Sequence, residues 1–290
     1  EHILDESKKY ITFNKRKIKK INILEGRTIF NLFFEDSTRT RTSFEVAAKR
    51  LGADLINVVV KDSSINKGET LLDTMTTINS MNPDVLIVRH PEEGISKKIS
   101  ESVDASVINA GDGSHEHPTQ ALLDLFTIQQ VHGSLEGCKV AIIGDIMHSR
   151  VVRSNIIGLK KLGAEVVLCG PKTLIPKFIT EMGVTVSYDL EECLAWCDVA
   201  MALRIQLERQ GKGTEFFPSL REYHEKFGIK AKHLEAYPQF KIMHPGPINR
   251  GVEMESLVAD NERAVILDQV TNGVAVRMAI LYLLSGGTRI

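Results

Sequence analysis

The sequence predicts an α/β protein with two similar-sized α/β domains, each a parallel sheet flanked by helices. The first observation is that short apolar runs alternate with segments of helical periodicity along the chain, a pattern typical of parallel sheets covered on both faces. The second is the length of 290 residues, which suits two medium domains. The third is a pause near 133–137, after which the alternation restarts. Ligands of such sheets bind beyond the carboxyl ends of the strands, so we expect the active site in the interdomain cleft.

The elements predicted before the pause each have a local reason. The apolar run 28–34 has the length of a buried strand, and apolar residues on one face of 42–51 indicate a helix that Gly52 ends. Pro118 suits a first helical turn, so a helix is expected from His117 or Pro118 to about residue 131. By the same criteria the opening to about Lys20 is a helix and a polar loop, followed by strands at 27–34, 53–60, 84–89 and 105–109, helices at 69–81 and 93–103, and loops at 61–68 and 110–116.

The alternation after the pause predicts a second run of strands and helices. The apolar runs predict strands at 139–144, 165–169, 184–188, 198–203, 241–243 and 265–267. Helical periodicity predicts helices at 149–162, 176–182, 190–196, one that ends at Phe227, and an amphipathic helix at 271–284. The long polar span 206–218 is expected to be a mobile loop.

The first strand–helix junction carries the densest group of polar side chains. Ser37, Thr38, Arg39 and Thr40 lie where the predicted strand turns into the predicted helix, and Arg41 follows. Amide N–H groups and the positive end of the helix dipole favour an anion at such a position. Arginine holds phosphate through a planar fork of N–H groups. A solvated helix cap would also explain an isolated S-T-R-T, so the anion hypothesis depends on further donors elsewhere.

Such donors follow the other predicted strands. Arg89, His117, Arg150, Arg204 and His244 all lie at or soon after predicted strand ends, in both halves of the chain. Each one alone is more often a surface ion pair or an ordinary hydrogen-bonding residue. Together they predict a cleft rich in cations and poor in ionised acids, which suits substrates that carry several negative charges.

Cofactor motifs have little support in this sequence. His115 and His117 stand two residues apart, but no cluster of carboxylates or thiols accompanies them as metal ligands. Cys193 and Cys197 stand four apart on a predicted helix, but no second pair completes a zinc site. Gly144 follows an apolar strand, yet the G-x-G-x-x-G spacing of dinucleotide-binding folds is missing.

Charge and composition exclude several other classes of protein. The formal net charge is −1 and the basic residues are scattered except for 15–20, which argues against a nucleic-acid or membrane-surface protein. No apolar stretch approaches the length of a membrane span and no secretory signal is visible. Four cysteines without a disulfide pattern favour reduced thiols and a cytoplasmic location. Because the chain begins at Glu1 and not at Met, a native start upstream is expected.

The chain resembles the aspartate/ornithine carbamoyltransferases over essentially all of its length, and it resembles the aspartate branch most. F-x-E-x-S-T-R-T at 33–40 and H-P-T-Q-A-L-L-D-L-F-T-I at 117–128 carry the resemblance, and S-x-x-x-K-G-E-T at 63–70, R-H-P at 89–91 and R-x-Q-x-E-R at 204–209 agree with it. The resemblance implies transfer of the carbamoyl group of carbamoyl phosphate to the amine of L-aspartate. The products would be N-carbamoyl-L-aspartate and phosphate, an early step of pyrimidine synthesis, with no metal or organic cofactor.

The resemblance also implies how the two domains share the substrates. Residues 1–132, joined by the C-terminal helix 271–290, would bind carbamoyl phosphate, and residues 133–270 would bind aspartate. The phosphate would be held by the Ser37–Thr40 cradle, that is by Ser37, Thr38, Arg39 and Thr40. Donors to the carbonyl oxygen, acting as an oxyanion hole does, would be Thr40, Arg89 and His117. Gln120 would orient the carbamoyl NH2 with the carbonyl group of Pro245, beside Gly246, where many members have leucine or alanine.

The aspartate contacts and the oligomer are implied in the same way. Arg150 and Arg204 would each hold one carboxylate of aspartate, with Gln206 assisting. Ser63 and Lys67 would reach into the site of a neighbouring subunit, so that a homotrimer with shared active sites is expected. No side chain is an obvious general base, and the leaving phosphate is expected to take the amine proton. Domain closure and ordering of the 206–218 loop on aspartate binding are further expectations.

Two alternatives belong to other activities. An ornithine carbamoyltransferase would carry His-Cys-Leu-Pro where this chain has His-Pro-Gly-Pro at 244–247, and a Ser-Met-Gly motif that is missing here. A non-catalytic scaffold subunit would be expected to lose some of the six cations Arg39, Lys67, Arg89, His117, Arg150 and Arg204, all of which are present. A regulatory chain and a dihydroorotase are both open as further partners.

Overall fold

The computed structural model of the chain describes residues 1–14, 16–59, 70–206 and 219–286. It divides into two compact units, residues 1–123 with 271–290, and residues 124–270. The division therefore falls within the helix that runs from Pro118 to His132. No helix within the described residues is long and apolar enough to span a bilayer.

The first unit is built on a four-stranded parallel sheet. Its strands, in the order β2-β1-β3-β4, are β1 (Thr28–Phe33), β2 (Asp54–Val59), β3 (Val85–His90) and β4 (Ser106–Asp112). Its helices are α1 (His2–Asn14), α2 (Thr38–Leu51), α3 (Leu71–Asn79), α4 (Ile95–Ser100), the start of α5 (Pro118–His132) and most of α11 (Ile266–Leu284). Phe30, Leu32, Leu86 and Val88 pack with Met75 and Ile99 in one apolar core. The buried apolar stretches of β1 and β3 at the centre of the sheet are typical of such a parallel arrangement.

The second unit contains a five-stranded parallel sheet. Its strands, in the order β7-β6-β5-β8-β9, are β5 (Lys139–Ile143), β6 (Glu165–Cys169), β7 (Thr185–Ser187), β8 (Val199–Ala202) and β9 (Lys241–Met243). Its helices include α6 (Arg150–Lys161), α7 (Leu190–Trp196), α8 (Leu220–Phe227), α9 (Ala231–Ala236) and α10 (Ser256–Ala259), with 3-10 turns at Lys172–Leu174 and Ile179–Met182. All pairings within both sheets are parallel in the described chain, so the predicted fold class is confirmed.

Three predicted elements were wrong or misplaced. Helix α2 begins at Thr38 and not at residue 42, because the polar residues 38–41 already occupy its first turn. The predicted strand 265–267 is instead the start of α11, where the Gln269 amide donates to the Val265 carbonyl (3.0 Å) and Leu267 is 80 % exposed. The predicted helix 176–182 is a 3-10 turn of four residues, since Phe178 is exposed and Gly183 ends the turn at φ 74°.

Other boundaries shifted by tertiary pairing. Strand β4 runs to Asp112, through the first residues of the predicted loop 110–116, because Asp112 pairs with His90 across a register shift in β3. Helices α9 and α10 were not predicted, and both are short. The predicted loops 61–68 and 206–218 lie, except for Gln206, outside the described residues.

Candidate active site

The N-terminus of α2 presents hydroxyls and amides together. Ser37 precedes the helix in an extended conformation (φ −157°, ψ 87°), and its side chain makes no capping hydrogen bond. The first backward hydrogen bond comes from the Arg41 amide to the Ser37 carbonyl (3.2 Å). The amides of Thr38, Arg39 and Thr40 lie in this first turn, which contains no acidic residue. These features favour an anion at the helix N-terminus.

Arg89 lies at the carboxyl end of the central strand β3, directly beside the end of β1. Its Nη2 lies 2.6 Å from Glu35 Oε1. Its Nη1 donates to the Ala110 carbonyl (3.3 Å) and contacts His117 Nε2 (3.4 Å). The guanidinium is therefore fixed by groups from the ends of β1, β4 and the start of α5. Because a guanidinium only donates, His117 Nε2 accepts from Arg89 in this conformation. A substrate oxygen that replaced this contact would accept from Nε2 only in the tautomer that carries the proton there.

The first turn of α5 positions the next two polar groups. The His117 carbonyl accepts hydrogen bonds from the amides of Gln120 (3.0 Å) and Ala121 (3.1 Å), so His117 closes the helix N-terminus with its backbone. The side chains of His117 and Gln120 are both more than nine-tenths buried, as is Thr40. These groups lie in elements that follow β1 and β4, the two strands on either side of β3, at the carboxyl edge of the first sheet.

Asp112 organises the loop between β4 and α5. Its carboxylate accepts from the Gly94 amide (2.8 Å), the Glu116 amide (3.1 Å) and Asn109 Nδ2 (3.1 Å). His115 Nδ1 lies 3.2 Å away. Burial would raise the pKa of Asp112, but these hydrogen bonds outweigh it, so the pKa is lowered below its usual range. The ionised carboxylate thus holds the loop that leads to His117.

The second unit places Arg150 and Arg204 after two adjacent strands. Arg150 is the first residue of α6 and is buried, and Ser149 before it makes no side-chain capping bond. Arg204 follows β8 and donates from Nη2 to Gln206 Oε1 (3.0 Å). Strands β5 and β8 are neighbours in the second sheet. Both arginines therefore lie at the carboxyl edge of that sheet, as the sequence predicted from the strand ends.

Two buried carboxylates fix the backbone around Arg204. Asp145 accepts from the Gln206 amide (3.3 Å) and from the His148 ring (2.8 Å). Glu253 accepts from the Ile205 amide (2.9 Å) and is fully covered. Burial raises the pKa of Glu253, with the hydrogen bonds opposing that rise. The amides of Ile205 and Gln206 therefore fix the backbone that directly follows Arg204, and the side chain of Ile205 anchors it in the apolar core.

A buried polar relay supports the turn after β9. Asn155 Nδ2 donates to Asp124 Oδ2 (2.9 Å), and Gln269 Nε2 donates to Asp124 Oδ1 (2.8 Å). Gln269 Oε1 in turn accepts from the His244 amide (2.9 Å), and His244 Nδ1 accepts from the Gly246 amide (2.8 Å). All of these side chains are at least 97 % buried, since none is more than 3 % exposed. The relay therefore fixes the backbone that flanks Pro245.

Gly246 itself lies in the left-handed region at φ 68°. That conformation strains any residue with a Cβ and suits glycine. Glycine is therefore well suited to the backbone at position 246.

The predicted site residues fall into two sets, one in each unit. The first unit contains seven of them: Ser37, Thr38, Arg39, Thr40, Arg89, His117 and Gln120. The second contains Arg150, Arg204, Gln206, Pro245 and Gly246. Ser63 and Lys67, which were predicted to serve a neighbouring subunit, lie outside the described residues.

Sequence reasoning missed the carboxylates that support both sets. Glu35 is the acidic residue inside F-x-E-x-S-T-R-T, and its pairing with Arg89 could have been suspected from that motif. Asp124 likewise lies within the second motif, one helical turn after Gln120. Asp145 follows a strand end and was noticed only as part of a poor dinucleotide motif. Nothing local in the sequence marks Glu253 as a partner of the 204–206 segment.

Family models match both halves of the chain. The carbamoyl-P binding domain of aspartate/ornithine carbamoyltransferase matches residues 1–130, and the Asp/Orn binding domain of the same family matches residues 136–284. Relatives named aspartate carbamoyltransferase catalytic subunit include one from Desulfitobacterium hafniense, 55 % identical over 98 % of this chain and 91 % of its own. Another, from Christiangramia forsetii, is 58 % identical over 93 % of this chain and 87 % of its own.

Solved structures agree with these matches. A crystal structure of aspartate transcarbamoylase from Trypanosoma cruzi, in complex with aspartate and phosphate, shares 34 % identity and a TM-score of 0.83, covering 97 % of this chain and 89 % of that one. Ornithine carbamoyltransferase from Pyrococcus furiosus superposes with a TM-score of 0.85 at 28 % identity, covering 99 % of this chain and 93 % of its own.

Proposed function

The chain belongs to the aspartate/ornithine carbamoyltransferase family, and from this premise we propose that it transfers the carbamoyl group of carbamoyl phosphate to L-aspartate. The products are N-carbamoyl-L-aspartate and phosphate, which places the chain in pyrimidine biosynthesis. Relatives at 54–58 % identity over nearly the whole chain bear the name of that activity. Aspartate is proposed as the acceptor chiefly because two arginines, Arg150 and Arg204, follow adjacent strands of the second sheet.

Two arginines match the charge of a dicarboxylic amino acid. Each guanidinium can hold one carboxylate through paired hydrogen bonds. An ornithine side chain carries an ammonium group, which the same cations would repel. In this proposal Gln206 steadies Arg204, to which it is already hydrogen-bonded at 3.0 Å.

The first unit supplies the phosphate and carbonyl contacts. Ser37, Thr38, Arg39 and Thr40 hold the phosphate at the N-terminus of α2, where amides and dipole favour an anion. Arg89 bridges the phosphate and the carbonyl oxygen.

Thr40 and His117 join Arg89 as donors to that oxygen when the carbonyl carbon becomes tetrahedral. Gln120 orients the carbamoyl NH2, together with the carbonyl group of Pro245 beside Gly246. Glu35 restrains Arg89 through their 2.6 Å ion pair, so that the guanidinium is preorganised for its task.

The chemistry is one of positioning and charge stabilisation. The aspartate amine attacks the carbonyl carbon, the C–O bond to phosphate breaks, and the departing phosphate accepts the proton that the amine loses. Correct orientation of two bound reactants supplies much of the acceleration in such transfers. No side-chain base is needed, and neither a metal nor an organic cofactor takes part in this scheme.

The working enzyme in this proposal is a homotrimer. Ser63 and Lys67 complete the site of a neighbouring subunit, with Lys67 near both substrates. A cytoplasmic setting belongs to the same proposal, because all four cysteines are free thiols. A regulatory chain or a dihydroorotase would be an additional partner of this trimer.

Binding of a bisubstrate analogue tests the proposal directly. N-(phosphonacetyl)-L-aspartate, which is bound in a related structure from Trypanosoma cruzi, combines a phosphonate with the two carboxylates of aspartate. We expect it to bind at least a hundredfold more tightly than phosphate or succinate alone, because one molecule meets both cation sets. Arg204→Ala should remove most of that gain and leave phosphate binding within twofold. Equal affinity for the analogue and for phosphate would contradict the proposed acceptor site.

A further inference from the structure

The second unit contains a cluster of metal-binding donors at the edge of its sheet opposite the candidate active site. His132 is the last residue of α5, Cys138 directly precedes β5, and Asp198 directly precedes the neighbouring strand β8. One donor atom from each lies within 4.8 Å of the other two. Within the described residues this is the only such group of three or more histidine, cysteine or acidic side chains. The amino ends of these strands take no part in the proposed transfer.

The hydrogen bonds around His132 leave one ring nitrogen directed at the cluster. Its Nδ1 lies 2.8 Å from the Ser134 carbonyl oxygen, which can only accept, so Nδ1 carries the proton. Its Nε2 faces Asp198 Oδ2 at 3.6 Å, and that oxygen already accepts from the Lys139 amide at 2.9 Å. A neutral imidazole would therefore point a lone pair at a carboxylate. A positive charge between the two atoms would remove this repulsion, either as a second proton on the ring or as a metal ion.

The donor set and its spacing suit one metal in particular. Imidazole nitrogen, thiolate sulfur and carboxylate oxygen are the usual ligands of Zn²⁺, at bond lengths of about 2.0–2.3 Å. A tetrahedral ion then sets its ligand atoms roughly 3.3–3.8 Å apart. The 3.6 Å between His132 and Asp198 lies in this range, and because the three donor atoms spread over up to 4.8 Å, small side-chain shifts complete the set. The carbonyl bonded to His132 Nδ1 supplies the outer contact that commonly orients a zinc-binding histidine.

The surroundings of the cluster favour a cation and leave room for solvent. His132 lies in the last turn of a 15-residue helix, where the helix dipole places negative partial charge. The side chains of His132 and Asp198 are 34 % and 36 % exposed, whereas Cys138 is fully buried behind them.

We propose that His132, Cys138 and Asp198 form a zinc site with water as the fourth ligand. On binding, the Cys138 S–H bond breaks, the sulfur bonds to Zn²⁺, and one proton passes to solvent. The ion joins the end of α5 to the amino ends of β5 and β8, so its role is structural. Metal removal should therefore lower stability and leave the transfer reaction unchanged.

Cobalt substitution tests the site on the intact chain. Protein freed of metal with a chelator is titrated with Co²⁺, and we expect one equivalent to bind with a near-ultraviolet thiolate-to-cobalt band that Zn²⁺ then abolishes. At a hundredfold excess over its Kd, Zn²⁺ should raise the Tm by about 5 °C. His132→Gln, on the exposed side of the cluster, should weaken binding at least tenfold and reduce the Tm rise by about half or more, without loss of activity. Cys138→Ser should remove the band.

A matched control distinguishes this site from incidental binding. His115 also faces two carboxylates, Asp112 at 3.2 Å and Glu116 at 3.8 Å, so His115→Gln should leave the cobalt band and the zinc affinity unchanged. Cobalt bound without the thiolate band would overturn the proposal, as would an affinity that is the same in His132→Gln and the original chain. Absence of any stoichiometric binding would mean that His132 and Asp198 form an ordinary ion pair.

Discussion

The relay from Asp124 to the turn after β9 predicts a rescue between two substitutions. Asp124 accepts from Gln269 at 2.8 Å and from Asn155 at 2.9 Å, and Gln269 accepts from the His244 amide at 2.9 Å. Asp124→Asn puts an NH2 group where a carboxylate oxygen accepted, so one of the two donors loses its partner. Gln269→Glu instead places two carboxylates in contact within a buried site.

The expected costs follow from burial. Losing a buried hydrogen bond to a charged acceptor costs about 1.5–3 kcal/mol, which is the expected loss in unfolding free energy for Asp124→Asn. Gln269→Glu should cost at least about 3 kcal/mol, since it leaves buried charge uncompensated. That cost should lessen as the pH falls, because one of the two carboxylates takes up a proton. In the double variant, the amide at position 124 donates to the carboxylate at position 269 and its oxygen still accepts from Asn155. Every donor of the relay then has an acceptor again.

Guanidinium unfolding of the four proteins measures this cycle. We expect the double variant to be at least about 1.5 kcal/mol more stable than the sum of the single losses predicts. Asp104→Asn provides the matched control, because Asp104 accepts from Asn79 at 3.2 Å on the exposed surface, and its effect should stay within about 0.5 kcal/mol. Losses that simply add in the double variant would refute the assigned donors and acceptors of the relay.

Four further outcomes follow from the site and its supports. Arg204→Ala should raise the KM for aspartate at least tenfold and leave the KM for carbamoyl phosphate within twofold in steady-state assays; equal effects on both would contradict its assignment. Inactive Lys67→Ala and Arg39→Ala chains should recover activity when mixed as subunits, whereas unmixed controls should not, and an inactive mixture would refute the shared site. Gly246→Ala should cost about 1–2 kcal/mol in unfolding free energy because φ is 68°, and an unchanged stability would show that the turn tolerates a Cβ. The Asp112 pKa is lowered in the folded chain, so its carboxylate contributes stability above the usual carboxyl pKa, and that contribution is lost as the pH falls through the lowered pKa. The unfolding free energy of Asp112→Asn should therefore fall less steeply with decreasing pH than that of the original chain.

Local pattern was enough to predict the strand cores and the polar motifs. The apolar runs at β3 and β5, and the run at β1 that only Asn31 interrupts, belong to strands whose faces are covered, so their composition alone marks them. Ser37 and Arg89 could be assigned to strand ends for the same reason. The family motifs then predicted roles for these residues.

Long-range partners explain what local pattern missed. Val265 and Leu267 belong to an apolar run that resembles a strand, yet Leu267 is exposed and the run starts a helix. Glu253 serves a backbone segment 48 residues earlier in the chain, and no periodicity reports such a contact. The relay through Asp124 spans 145 residues between its carboxylate and Gln269. Positions of this kind depend on how the elements pack, which sequence periodicity does not encode.

Acceptor choice in the transfer reaction tests the central claim most directly. The chain is incubated with carbamoyl phosphate in the presence of EDTA, with L-aspartate in one arm and L-ornithine in the other, and the products are separated and identified. We expect N-carbamoyl-L-aspartate and an equal amount of phosphate in the first arm, and no citrulline in the second. Citrulline formation, or phosphate release without N-carbamoyl-L-aspartate, would contradict the roles given to Arg150 and Arg204.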